Sequence, residues 1–172
     1  MRILGIDPGV NGAAALISET GRFLDVLDMP TVLANKSSNR QMVNAYELAK
    51  QLRGWLLDSP AGLVAITENV NAMPDQGVAS VFAFGKSYGI VLGVLAALGI
   101  STEVVAPSKW KGHYQLGREK DGSRELAQRM WPDAPLGLKK HHNRAEALLL
   151  ARYYQARVMV RDVSRETEEQ PF

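Results

Sequence analysis

Short apolar runs and helical-period stretches alternate along this chain. Ile3, Leu4 and Ile6 make an apolar run that stops on Asp7; Pro8, Gly9, Asn11 and Gly12 supply a turn, and Ala13 to Ile17 begins a second run, which together predict a hairpin. Arg22 to Met29 alternates as a third strand, stopped by Pro30, and the polar stretch from Thr31 to Arg40 reads as a loop. From Gln41 to Asp58, Val43, Tyr46, Leu48, Leu52, Trp55 and Leu56 recur at helical spacing, closed by Ser59-Pro60. Leu63 to Ile66 predicts a fourth strand running into Thr67-Glu68-Asn69, and Asn71 to Gly77 a loop.

Gly77 to Gly99 predicts a long apolar helix, and its apolar stretch from Ser87 to Ile100, broken by glycines and too short to span a bilayer, reads as a buried helix. Gly85, Gly89, Gly93 and Ala97 fall at intervals of four on one side of it, a stripe that suits packing on the sheet or on a second subunit. Ser101 to Val105 is a further strand, and His113 to Lys120 is polar and glycine-containing. Helices follow from about Asp121 to Trp131 and from His142 to about Arg157; the tail reads as an extension of that helix or as disorder. The order β-β-β-α-β-α-β-α-α predicts an α/β fold, a mixed sheet flanked by helices in ribonuclease H-like order.

Composition narrows the chemistry. At 172 residues with 46% hydrophobic and 22% charged, the chain suits one full-sized globular domain. Without cysteine there is no disulfide, thiolate zinc site or cysteine nucleophile, so any metal needs oxygen or imidazole ligands. The first residues read as a core strand and not as a signal peptide, which predicts a cytoplasmic protein with no membrane partner. Net charge is only +2, yet from Ala106 to Arg144 nine Lys/Arg face four Asp/Glu, while the rest of the chain carries a net of three negative charges. That segment reads as either a phosphate-tracking surface or a solvated face.

Carboxylates carry the chemical signal. Asp7 ends a buried strand beside glycines that let a phosphate or metal approach, although an Asp-Pro turn accounts for it equally well in isolation. Glu68 repeats the pattern, since Leu63 to Thr67 is a buried strand ending on an acid. If the first and fourth strands are parallel neighbours, both acids emerge at one edge of the sheet. In His141-His142-Asn143-Arg144-Ala145-Glu146, Glu146 opens an apolar helix with His142 four residues earlier on the same side. Taken singly, Glu68 suits a surface ion pair, Glu146 a helix-dipole acid and His142 a surface histidine. Together they suit two divalent ions, Mg²⁺ or Mn²⁺, clamping an in-line phosphodiester displacement.

Four segments in order resemble the Holliday-junction resolvases of the RuvC type, in particular the compact branch found in phages and prophages. These are Ile3-Leu-Gly-Ile-Asp-Pro-Gly9, Ile66-Thr-Glu-Asn-Val70, Met73 through Gly89 and Asn143 through Ala151. The resemblance covers roughly residues 2 to 155 and suggests a nuclease domain over 1–157 with a tail at 158–172. It implies a homodimer and metal-dependent, paired symmetric nicking of four-way or branched DNA, leaving 5′-phosphate and 3′-hydroxyl ends.

By this resemblance Asp7, Glu68 and Glu146 match the family acids. Members carry an Asp or His three or four residues before the last acid, and here those places hold Asn143 and His142. His142 is the better candidate, because imidazole ligates a metal or moves a proton whereas an amide is a poor base. Lys120 resembles the family lysine facing the scissile phosphate, with Lys109 and Lys111 as alternatives, and Arg118 and Arg124 join them as expected DNA contacts. The loop after Glu68 offers Asn71, Met73 and Gln76 where some members insert an aromatic into the junction centre. Gly85, Gly89 and Gly93 are the expected dimer interface. The rival readings are another ribonuclease H-like nuclease, of the ribosomal-RNA-processing or transposase kind, and a non-catalytic junction-binding protein.

Overall fold

In a computed structural model, residues 1–35, 38–69, 77–117 and 119–168 are described. The chain opens with β1 (Arg2–Asp7), β2 (Ala13–Ser18) and β3 (Phe23–Asp28), joined as an antiparallel meander. A separate hairpin follows, β4 (Thr31–Asn35) and β5 (Ser38–Val43), and then α1 (Ala45–Leu57). Strand β6 (Leu63–Glu68) precedes α2 (Val78–Ala97), and β7 (Ser101–Val105) precedes α3 (Pro107–His113), α4 (Lys120–Met130), a 3₁₀ turn (Lys139–His141) and α5 (His142–Glu168). The main sheet has the order β3-β2-β1-β6-β7, with β1-β6 and β6-β7 parallel.

Alternation along the central strands divides the core into two layers. Ile3, Ile17 and Ile66 point to one face and pack with Trp110 of α3, Ala127 of α4 and Leu148 of α5. Leu4, Ile6, Leu16 and Ala65 point to the other, against Leu48, Leu52 and Trp55 of α1 and Val91 and Leu95 of α2. Gly5 faces α5, and a Cβ there would lie 1.9 Å from the Ala147 carbonyl oxygen, so only glycine allows this close seating of α5 on β1.

Two expectations need correction. Thr31 to Arg40 is not a loop: Thr31, Val32 and Leu33 pair with Val43, Met42 and Gln41 as a two-stranded sheet. That hairpin takes 41–43 out of the helix expected there, and α1 instead starts behind Asn44, whose side chain accepts from the Glu47 backbone N–H at 3.2 Å. The last helix continues to Glu168, in keeping with the extended one of the two readings of the tail.

Nor is α2 a buried helix. Its 20 residues have a mean hydropathy of 1.7, enough by length and composition to cross a membrane, yet only 22% of the segment is buried within the chain. Ser87, Val91, Val94 and Leu95 are its buried residues, the last three packing in the layer with Leu4, Ile6 and Leu16. Gly85, Gly89 and Gly93 lie exposed, with nothing among the described residues within 4 Å of a Cβ built on any of them, so the stripe does not pack on this chain's own sheet. Val78 and Phe82 are also exposed, at 86% and 70%.

Candidate active site

The parallel register of β1 and β6, with Ile6 opposite Thr67, brings Asp7 and Glu68 to adjoining strand ends. The Thr67 hydroxyl ties the two strands by donating to the Ile6 carbonyl at 3.1 Å. Asp7 enters a tight turn in which Gly12 is indispensable, since a Cβ there would lie 2.0 Å from the Asp7 carbonyl oxygen. Glu146 arrives from the opposite direction, carried on the first turns of α5 by the seating of that helix on Gly5.

The three acids share one electrostatic environment. Burial, followed by the charge of Glu146, pushes the Asp7 carboxyl up to about 7; Glu68 adds to this, while the Gly9 N–H and Lys111 act against it. Burial also raises Glu68, opposed by a hydrogen bond from Trp110 and the charge of Lys111. A carboxyl held protonated near neutrality by burial and like charge is a group that a cation would ionise.

Helix α3, unforeseen in the sequence, supplies both of the donors closest to this chemistry. The fully buried Trp110 donates its indole N–H to Glu68 Oε1 at 3.0 Å, and the Lys111 ammonium lies 3.2 Å from Glu146 Oε1. From α4, the buried Ser123 hydroxyl donates to the same Glu146 oxygen at 3.3 Å. A signal for α3 existed: Pro107 sits in its first turn, a placement favoured because proline's missing N–H costs nothing there. Trp110 and Ser123 carried no such signal, as their roles depend on which strand end each one meets.

The 3₁₀ turn and the start of α5 form the rim. His142 Nδ1 donates to the Lys139 carbonyl at 3.3 Å, so Nδ1 carries a proton in this contact. His141 accepts instead from the Leu138 N–H through Nδ1 at 3.3 Å, and partial burial followed by the Arg144 charge lowers its pKa. Asn143 donates its amide to the Asn11 carbonyl and so braces the turn after Asp7. Arg144 forms a two-pronged pair with Asp28, at 2.5 and 2.6 Å, fastening β3 to α5. Asp7, Asp28, Gln41, Phe84, His142 and Asn143 line one open cleft of about 740 Å³.

Asp7, Glu68 and Glu146 are thus brought together, with His142 in the same cleft as Asp7. Oxygen donors of this kind suit Mg²⁺ or Mn²⁺, and the raised Asp7 carboxyl fits a place for positive charge. As they stand, no three His, Asp or Glu among the described residues are close enough together to hold a metal ion. The basic segment divides: Lys111 and Arg144 are engaged by acids, and Arg124 lies between Asp121 and Gln128, whereas Lys109, Arg129, Lys139 and Lys140 are exposed. Lys120 opens α4, with its side chain outside the described residues, as are Asn71, Met73, Gln76 and Arg118.

No family model and no curated protein matches the sequence. Solved structures do match its fold. RuvC from Thermus thermophilus is 19% identical, with a TM-score of 0.57 over 92% of this chain and 96% of that one. The T. thermophilus RuvC in complex with a Holliday junction substrate is 18% identical, with a TM-score of 0.58 over the same shares. The fowlpox virus Holliday junction resolvase is 15% identical, with a TM-score of 0.53 over 92% of this chain and 99% of that one. The fold is therefore the ribonuclease H-like α/β architecture expected from the order of strands and helices.

Proposed function

We propose that this chain is a RuvC-type resolvase, a metal-dependent endonuclease that cuts four-way DNA junctions by paired symmetric nicks. The observation that carries this reading is the convergence of Asp7, Glu68 and Glu146 from two parallel strand ends and one helix, on a fold shared with two resolvases. Bound Mg²⁺ or Mn²⁺ would supply Lewis acidity to activate water and stabilise the leaving 3′-oxygen.

The chain's own residues account for the rest. Asp7, Glu68 and Glu146 would hold the ions, with Trp110 and Ser123 fixing the orientation of two of those carboxylates. His142, its Nδ1 proton engaged by Lys139, would in its neutral form offer Nε2 as a further ligand or as the acceptor of the water proton. Exposed Lys109, Lys139 and Lys140, together with Lys120, would follow the DNA backbone.

Two symmetric cuts call for two copies of the acid cluster, hence a two-fold homodimer. The uncovered apolar side of α2, with Gly85, Gly89 and Gly93, is the surface that supports this. Light scattering that finds a monomer both free and on junction DNA would remove the dimer from the proposal.

A cleavage assay on four-way, three-way and duplex DNA, with and without Mg²⁺, tests the function. Symmetric nicks on the four-way substrate alone, dependent on the metal, are expected. Preferential cutting of RNA or duplex DNA would point to another ribonuclease H-like nuclease, and tight junction binding without any cutting to a non-catalytic binding protein.

A further inference from the structure

The acid cluster already contains a cation of its own. The Lys111 ammonium contacts Glu146 at 3.2 Å, lies 5.0 Å from the centre of the Trp110 ring, and acts electrostatically on both Asp7 and Glu68. Its side chain is 32% exposed and that of Glu146 only 14%, so this contact is shielded from water on one side. One Oε1 atom of Glu146 accepts from both Lys111 and Ser123.

We infer that Lys111 is a tethered counter-ion, occupying the cationic place of the acid cluster until a divalent ion displaces its ammonium. This rests on the metal-dependent reading above and deepens it. Three carboxylates crowded at one sheet edge repel one another, and a single lysine relieves part of that repulsion without closing the cluster. The same lysine keeps Glu146 engaged elsewhere, which accounts for acids that are adjacent yet not arranged as a finished metal group. Ammonium and divalent ion cannot share the place, since like charges a few ångströms apart repel strongly in a shielded site. Lys111 sits on a seven-residue helix that also carries Trp110, so its long side chain can swing away while the backbone and Glu68 stay fixed.

Competition predicts the opposite sign from a supporting ion pair. Mn²⁺ binding to the full chain, without DNA, is measured by calorimetry and by electron paramagnetic resonance for the parent, Lys111→Met and Lys111→Arg. Lys111→Met should bind Mn²⁺ roughly tenfold more tightly, and Lys111→Arg should stay near the parent because it keeps the charge. Unchanged or weaker binding by Lys111→Met would overturn the inference while leaving the metal site intact. Mn²⁺ binding by none of the three proteins would overturn the metal-dependent function along with it. Should Lys111→Met fail to fold, ¹³C-labelled lysine side chains in the parent provide the readout. The Lys111 resonance, assigned with Lys111→Arg, should move on Mg²⁺ addition and follow the same binding curve; a stationary resonance at saturating Mg²⁺ would refute displacement.

Discussion

Gly5 of β1 and Ala147 of α5 meet backbone to backbone. A methyl group on Gly5 would fall 1.9 Å from the Ala147 carbonyl oxygen and 2.7 Å from the Ala151 nitrogen, and backbone cannot give way as a flexible side chain does. Glu146 is the neighbour of Ala147, so this contact also sets the distance between the helix acid and the strand acids.

Gly5→Ala should therefore destabilise the fold by about 3 kcal/mol, as overpacking against backbone does at its upper range. Urea denaturation followed by circular dichroism measures this. Any folded Gly5→Ala protein should also lose most of its metal-dependent cleavage, because α5 must lift off β1. A variant as stable and active as the parent would show that the seating is looser than described.

Asp7 makes stability depend on pH with a definite sign. Its carboxyl releases its proton at about 7 in the folded chain against an ordinary 3.8 when unfolded, so the folded state binds more protons between those values. Metal-free stability should thus fall as pH rises through that window and level off above it, by a few kcal/mol at most at about 1.4 kcal/mol per pH unit. Asp7→Asn should flatten this fall and, in EDTA, be more stable than the parent at pH 8 but not at pH 4. The same variant should bind four-way DNA in Ca²⁺ yet cut none of it in Mg²⁺. A parent whose stability is level from pH 4 to 8 would contradict the burial of the charge.

Trp110→Phe keeps the ring in the core but removes the donor to Glu68. Glu68 should then protonate at a still higher pH, since the hydrogen bond that favours its charged form is gone. Mn²⁺ affinity and cleavage should drop about 10–100-fold, the usual cost of losing a partner that orients a metal ligand. The alkaline shift of the cleavage–pH profile separates this from simple loss of packing, which would lower activity at all pH values alike.

Exposed and engaged basic residues should differ in DNA binding. Replacing Lys109 or Lys140 by alanine should weaken junction binding and reduce its salt slope by roughly one unit for each lost phosphate contact. Arg144→Ala should instead lower thermal stability, since it unfastens α5 from Asp28. Salt slopes identical to the parent for both lysine variants would make the segment a solvated face.

The sequence by itself determined the layered α/β plan and the three acids. Ile3, Leu4 and Ile6 before Asp7, and Leu63 to Thr67 before Glu68, are short, nearly continuous buried runs, the local signature of central strands covered on both faces. Glu146 followed by Ala147 to Leu150 is likewise a local helical signal. What surrounds those acids was decided by tertiary structure. The β4–β5 hairpin arises from pairing of Val32 with Met42, a contact between residues ten apart that the polar sequence between them hides from local pattern. The outward-facing glycine stripe of α2 depends on which side of the helix Val91 and Leu95 offer to the sheet. Trp110 and Lys111 became parts of the site only because parallel pairing of β6 and β7 delivers α3 beside Glu68 and Glu146, residues 42 and 35 positions away. Hydrophobic period is written into neighbouring residues, whereas a hydrogen bond to a distant carboxylate exists only once the sheet has closed the distance.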